Sequence, residues 1–169
     1  MNLRGILVVA LSLAVALGGG GCATPPPPPP KPEPKPDPTV VRLELVGDSQ
    51  VNSDARGRPS PVVVRYYVLQ SLAPFEAADF FTLFERDEAA LGTSKLLREE
   101  LTLKPGDTHR TELRPPPEGK FLATFVAYRD FNKLRWRANA AFPLNKTSSY
   151  SILVGRYGVQ ISSKFLWAP

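Results

Sequence analysis

The chain has 169 residues, a formal net charge of +5 and a single cysteine. One cysteine excludes an internal disulfide, so the burial of apolar side chains must stabilise the fold. The sequence has one histidine, His109, and lacks a Gly-x-Ser-x-Gly elbow, a Cys-x-x-Cys pair and a phosphate-binding glycine loop, and it therefore gives no support to an enzyme, a metal centre or a cofactor site.

Residues 1–21 have the order of an export signal peptide. A basic start precedes an apolar run over 6–17, and four glycines then lead to Cys22. An apolar run of about a dozen residues is too short for a permanent membrane-spanning helix. The position of Cys22 predicts a covalent lipid on its sulfur, as in bacterial lipoproteins, although Gly19 stands where such signals usually carry leucine. The alternative is an export signal followed by an unmodified thiol.

A lipid on Cys22 would fix the mature chain to its membrane. Each buried methylene contributes about 0.8 kcal/mol, and two or more acyl chains anchor a protein firmly. Ala23, rather than an aspartate, follows the cysteine, and by similarity to enterobacterial sorting rules this favours the outer membrane. An exported protein meets little nucleic acid, and a charge of +5 is ordinary for an exposed surface, so no nucleic-acid binding is expected.

Residues 22–38 predict a proline-rich tether. Six consecutive prolines at 25–30 are followed by prolines that alternate with charged residues. Proline fixes φ and removes the amide donor, which favours an extended polyproline II helix. At about 3.1 Å per residue the prolines would span on the order of 40 Å. The alternative is a docking ligand for an aromatic groove.

Residues 39–169 are predicted to form one domain, since about 130 residues suit a single core. Residues 41–45 alternate apolar with charged side chains, which predicts a strand with one exposed face. Residues 62–69 are rich in β-branched and aromatic side chains, and Arg65 is the one charge among them, which predicts a more central strand. Residues 96–103 and 108–113 flank a Lys-Pro-Gly-Asp turn and predict a hairpin.

Three further strands are predicted at 121–128, 135–144 and 150–161. Seven or so short strands separated by turns indicate an all-β fold, a two-sheet β-sandwich.

Residues 74–91 break the strand pattern. Phe75, Phe80, Leu83 and Phe84 recur at roughly helical spacing among acidic residues. This predicts one or two short helices inserted after the second strand and packed against the sandwich. The aromatic side chains are expected to serve as core rather than as a ligand site.

Several motifs follow one another in the order of a known protein family. They are Asn52 and Asp54, Gly57-Arg-Pro-Ser-Pro-Val-Val-Val-Arg65, Phe75, Ala78-Asp79, Leu83, Leu103-Lys-Pro-Gly106, Val126-Ala-Tyr-Arg-Asp130 and Trp136-Arg137. Behind a predicted lipid anchor, this order resembles the type VI secretion outer-membrane lipoprotein family, TssJ. The resemblance covers nearly all of 39–169. The departures are the imperfect lipid-attachment signal, the long proline tether and the tail at 162–169.

The resemblance implies a transthyretin-like two-sheet β-sandwich of about seven to eight strands with a short helical insertion after the second strand. It also implies a structural adaptor that faces the periplasm and binds the periplasmic C-terminal domain of the inner-membrane protein TssM. Such a protein would be oligomeric only within the secretion complex. Transthyretin-like sandwiches also serve as binding modules for small molecules or envelope polymers, and that alternative predicts a concave apolar pocket.

The loop at 47–61 is the candidate partner-binding site. It is long, polar and rich in turn-forming residues, and such loops carry binding when a rigid scaffold presents them. Because the first loop of the family contacts TssM, the resemblance assigns polar contacts to Asp48, Gln50, Asn52, Asp54 and Arg56. The alternative is a solvated loop in which Asn52 and Asp54 cap local turns. The spacing lacks the glycine and terminal glutamate of an EF-hand, so no calcium site is expected.

Alanine substitutions at Asn52, Asp54 and Arg56 are therefore expected to weaken partner binding without changing the melting temperature. The segment at 129–137 is basic and contains Arg129, Lys133, Arg135 and Arg137. It could meet an acidic partner or lipid A headgroups. Alternatively, strand alternation would place Arg135 and Arg137 on the exposed face and Trp136 in the core, and Arg129 would pair with Asp130.

Overall fold

A computed structural model describes residues 35–163. The predicted signal peptide, Cys22, the tether up to residue 34 and residues 164–169 lie outside the described residues. The elements in chain order are β1 (Val40–Gly47), β2 (Val62–Leu69), α1 (Ala73–Ala77), α2 (Phe80–Leu91), a 3-10 turn (Gly92–Ser94), β3 (Lys95–Leu103), β4 (Thr108–Leu113), β5 (Phe121–Val126), β6 (Arg137–Ala141), β7 (Thr147–Gly155) and β8 (Gly158–Ser163). Within 35–163, neither helix combines the length and the apolar character needed to cross a bilayer.

The strands form two four-stranded sheets. The first has the order β4-β1-β7-β8 and the second β3-β2-β5-β6. β1 and β7 are parallel, and the other named pairs are antiparallel. The predicted all-β sandwich with a helical insertion after the second strand is confirmed.

The main core lies between the two sheets. Val41, Leu43 and Leu45 of β1 are at most 2% exposed, as their alternation predicts. They pack in one cluster with Val64 and Tyr66 of β2. Each such side chain contributes about 1.5–3 kcal/mol when fully buried, so this layer supplies most of the apolar burial.

A second cluster lies on the outer face of the second sheet, beneath the helices. Tyr67 and Phe125 of the sheet pack there with Phe75, Phe80 and Leu83. The prediction that these aromatic side chains form core is confirmed, whereas Phe84 remains 43% exposed. Because helices cover its outer face, β2 is buried on both sides and is a central strand.

Buried charges join α2 to the second sheet. The Arg65 guanidinium donates Nη1 hydrogen bonds to the carbonyl oxygens of Leu83 (2.8 Å) and Phe84 (2.9 Å). Its Nε donates to Glu100 Oε2 at 2.6 Å. Helix α2 is kinked at Arg86, where φ is −141° and ψ is 37°. A side chain that bonds the helix carbonyls is a recognised cause of such a kink.

Asp87 is the acidic centre of this network and is only 6% exposed. Its Oδ2 accepts hydrogen bonds from the Tyr67 hydroxyl (2.8 Å) and from Arg98 Nε (2.7 Å). Arg98 Nη2 donates in turn to Glu100 Oε2 at 2.8 Å. Every charge in the network therefore has an opposite charge or a hydrogen-bond partner, as burial requires.

A second arginine holds α1. Arg137 Nη1 donates to the carbonyl oxygens of Phe75 (2.9 Å) and Ala78 (2.7 Å), and its guanidinium carbon lies 4.8 Å from the Trp136 ring centroid. The prediction that Arg137 lies on the exposed face is wrong, because that face of β6 is covered by α1. Arg135 is exposed as predicted, and Trp136 is half-buried against both clusters.

The predicted hairpin around residues 104–107 is wrong. The turn forms, with Asp107 N donating to Lys104 O at 3.1 Å and Gly106 at a φ of 80°. However, β3 pairs with β2 and β4 pairs with β1. The turn carries the chain from one sheet to the other, because each strand has a different neighbour with which to hydrogen-bond.

The single strand predicted at 150–161 is also wrong. It is two antiparallel strands, β7 and β8, joined by a two-residue turn at Arg156 and Tyr157. Gly158 has a φ of 126°, and a side chain there would lie 2.8 Å from the Arg135 backbone. The glycine is therefore needed where β8 begins.

Removal of the Asp87 carboxylate should destabilise the domain. The Asp87→Ala variant removes the buried carboxylate that pairs with Arg65 and Arg98. Breaking a buried ion pair in this way lowers the free energy of unfolding by about 3–5 kcal/mol. Urea denaturation measures the change, with the exposed Glu85→Ala on the same helix as control. A loss below about 1 kcal/mol would show that the network does not hold the helix.

Acidification should weaken the same network. Burial opposes ionisation of Asp87, but hydrogen bonds from Arg98 and Tyr67 outweigh it and keep the pKa of this carboxyl below its usual range. The hydrogen bond from Arg65 likewise lowers the pKa of Glu100.

Because both groups titrate lower in the folded state, their stabilisation is complete above the unfolded pKa values of about 4. It is lost as the pH falls through the lower folded values. Melting temperatures between neutral pH and about pH 3 should therefore fall less steeply for Asp87→Asn than for the wild type. Parallel pH profiles would contradict this account.

Candidate functional site

The β1–β2 loop, residues 48–61, is fixed to the scaffold at its start. The backbone N–H of Asp48 donates to Val154 O on β7 at 3.0 Å. Asp48 Oδ1 accepts from Gln50 N at 2.8 Å, which closes a local turn of the type that aspartate favours. Val51 is fully buried in the core. The loop therefore begins as an extension of the sandwich.

Asn52 is the internal support of the loop. It is 8% exposed and has a φ of 50°, a conformation that asparagine tolerates better than most residues. Its Nδ2 donates to Ser60 Oγ (3.1 Å) and Pro61 O (3.2 Å). Its Oδ1 accepts from the backbone N–H of Arg129 at 2.9 Å. Asn52 thus ties both ends of the loop to the β5–β6 connection.

Asp54 organises the tip of the loop. Its Oδ1 accepts from the backbone N–H groups of Arg56 (2.9 Å) and Arg58 (3.0 Å). Its Oδ2 accepts from Arg58 Nε at 2.8 Å. The Arg58 backbone and side-chain hydrogen bonds lower the pKa of the Asp54 carboxyl, so it is ionised at neutral pH.

The five predicted partner-binding residues therefore lie together but differ in what their side chains do. Gln50 and Arg56 are exposed, and Asp48 is partly so. Asn52 and Asp54 make the internal hydrogen bonds that the solvated-loop alternative describes. Alanine at Asn52 would remove buried bonds, so the expectation that it leaves melting unchanged does not fit this geometry.

The β5–β6 connection lies against this loop. Arg129 Nη2 donates to Ser60 Oγ at 3.2 Å. The predicted pair between Arg129 and Asp130 is wrong, because Asp130 Oδ2 accepts instead from Lys133 Nζ at 3.2 Å. Sequence reasoning missed the contact with the first loop, since residues 52 and 129 are far apart in the chain and each has a local polar neighbour.

A family profile described as type VI secretion lipoprotein, VasD, EvfM and TssJ matches residues 39–157. The chain belongs to the TssJ family of type VI secretion lipoproteins. No curated protein matches the chain.

Solved structures agree with this membership. The lipoprotein TssJ1 of the type VI secretion system of Pseudomonas aeruginosa is 30% identical, with a TM-score of 0.73 over 78% of this chain and 99% of that one. Serratia marcescens Lip, described as a membrane-bound component of the system, is 25% identical, with a TM-score of 0.69 over 76% and 99%. A structure described as the TssM C-terminal domain from EAEC is 22% identical, with a TM-score of 0.60 over 75% and 98%, and shows the fold alone.

The other candidate groups of this TssJ-family protein among residues 35–163 are its single histidine and possible metal ligands. His109 is exposed on β4. Within residues 35–163 no cluster of three or more histidine, cysteine, aspartate or glutamate side chains is placed to hold a metal ion. The family is one of secretion lipoproteins, not a known enzyme family.

Substitution of Asn52 should loosen the loop and lower stability. Asn52→Ala removes three hydrogen bonds and places an alanine at positive φ, with an expected loss of about 2–4 kcal/mol. Asn52→Gly loses the same bonds but keeps the backbone conformation, so it should lose less. Chemical denaturation of both variants checks this. The exposed Gln50→Ala is the control and should stay within about 0.5 kcal/mol of the wild type.

Proposed function

We propose that this chain is a structural adaptor of the type VI secretion membrane complex, anchored in the outer membrane by a lipid on Cys22 and facing the periplasm. It binds the periplasmic C-terminal domain of a TssM-like inner-membrane protein. Family membership supports the secretion role. The lipid, the leaflet and the partner are proposals drawn from the leader sequence and from the resemblance.

The observation that carries the proposal is the internal support of the β1–β2 loop. Asn52 and Asp54 bind the loop backbone from within, so the exposed Gln50 and Arg56 stand on a backbone that is already ordered. A pre-organised loop loses little conformational entropy when it binds, and this favours protein recognition.

A binding module for a small molecule or envelope polymer is less well supported. It requires a concave pocket with mainly apolar walls. A cavity of about 620 Å³ lies between the edges of β6 and β8, but it is lined mostly by polar side chains, including Glu76, Arg135 and Arg137. Its apolar lining is limited to Ala138 and Ile161.

Substitution of the exposed loop residues should weaken binding without unfolding the protein. The Gln50→Ala/Arg56→Ala double variant is expected to lose about tenfold in affinity for the purified periplasmic domain of the TssM-like protein, because it removes contacts from a pre-organised surface. Titration calorimetry with the full-length lipoprotein in detergent measures the affinity, and thermal melting checks the fold.

Lys146→Ala is the matched control, because Lys146 is exposed and its carbonyl accepts from Val40 N at the opposite end of the sandwich. The absence of any wild-type binding would refute the proposed function. Unchanged affinity of the double variant would refute only the loop assignment.

A further inference from the structure

Four connections lie at the same end of the sandwich as the candidate site. They are the loop at 48–61, the turn at 104–107, the connection at 127–136 and the turn at 156–157, together called the loop end. Strand direction places them there, because β1 and β7 run parallel while β4 and β8 return beside them. Gly47 N donates to Asp107 O at 2.8 Å, which places the 104–107 turn beside the first loop.

Hydrogen bonds join the β7–β8 turn to the other connections of the loop end. Asp48 N donates to Val154 O at 3.0 Å, immediately before the turn. The Tyr128 hydroxyl donates to Gly155 O at 3.0 Å, and burial raises the pKa of this phenol. After the turn, Val159 N donates to Arg135 O at 2.8 Å. The turn is therefore held on both sides and belongs to the same rigid surface as the first loop.

Tyr157 projects from this surface. It is 81% exposed, compared with 55% for Phe81, the next most exposed of the large apolar side chains among residues 35–163. The Arg156 guanidinium carbon lies 5.6 Å from its ring centroid. Tyrosine and arginine, together with tryptophan, are enriched among the residues that contribute most of the binding energy at protein interfaces. A two-residue turn between paired strands also leaves little backbone entropy to lose on binding.

The loop end is basic. It carries seven lysine and arginine residues and four aspartates. Asp54 pairs with Arg58 and Asp130 pairs with Lys133, which leaves five of these cations and two of these aspartates. Arg56, Arg129 and Arg156 are exposed. This charge favours an acidic partner surface and disfavours a second copy of the same end, which would bring like charges together.

We infer that the β7–β8 turn is a second contact element of the partner-binding surface, in which Tyr157 inserts into a pocket on an acidic protein surface and Arg156 pairs with a carboxylate there. The inference rests on the proposed function, since the partner is the periplasmic domain of the TssM-like protein. The inference adds the β7–β8 turn to the partner-binding surface, which the proposed function places in the first loop. Arg56 and Arg156 would then flank the same partner face.

The test measures binding of full-length lipoprotein variants to the periplasmic domain of the TssM-like protein by titration calorimetry. Tyr157→Ala should lose at least about tenfold in affinity, as expected for a central aromatic contact. Arg156→Glu should lose a similar factor at low salt and show a weaker dependence of affinity on salt. Both variants should have the melting temperature of the wild type, because the side chains of Tyr157 and Arg156 are exposed.

Leu144→Ala and Lys146→Glu are the matched controls. Both residues are exposed and follow β6, at the opposite end of the sandwich, and their substitution should leave affinity unchanged. If the wild type binds and Tyr157→Ala binds equally well, the inference is overturned while the proposed function stands. If the controls weaken binding as much as Tyr157→Ala, the contact lies elsewhere and the inference is likewise overturned. If the wild type does not bind, both fail.

Discussion

The parallel pairing of β1 with β7 is the constraint on which the candidate site depends. The ladder runs from Val40 opposite Thr147 to Gly47 opposite Val154, and it joins segments more than a hundred positions apart in the sequence. Because both strands run in one direction, the loop after β1 and the turn after β7 leave the sheet at the same end. An antiparallel pairing would have separated them by the length of a strand. Closing so long a loop costs entropy, which the burial of Leu43, Leu45 and Ile152 offsets.

Periodicity predicted where strands and helices lie, but not how the strands pair. The concentration of β-branched and aromatic side chains predicts β2 with its observed bounds, residues 62–69. Apolar residues that recur every three or four positions predict helix over 74–91, where the structure has helices at 73–77 and 80–91. Pairing depends on which edge each strand meets, which a local pattern does not encode. The Lys-Pro-Gly-Asp turn has the same chemistry whether it closes a hairpin or crosses between sheets. The β7–β8 turn was missed because its centre is Arg-Tyr rather than a pair such as Asn-Gly.

The length, polarity and turn residues of the candidate site predict a loop between the first two strands, and the structure has one there, but they do not predict which of its polar side chains are buried. Asn52 and Gln50 are both polar amides in one loop, yet one is buried and the other exposed. The difference arises from Arg129, whose backbone N–H reaches Asn52 only when the β5–β6 connection folds beside the first loop. The sequence around Arg65 and Arg137 likewise does not predict that they bind helix carbonyls, because the carbonyl groups belong to residues distant in the sequence.

The two kinds of polar residue at the loop end have separable effects on folding and binding. The side-chain amide of Asn52 makes its hydrogen bonds within the protein, so Asn52 contributes to the ordering of the loop. Arg56 and Tyr157 are exposed, so their contribution to folding is small and their chemistry remains available to a partner. In the proposed adaptor, the entropy lost on binding would come mainly from fixing the position and orientation of the domain, because internal hydrogen bonds already order its first loop.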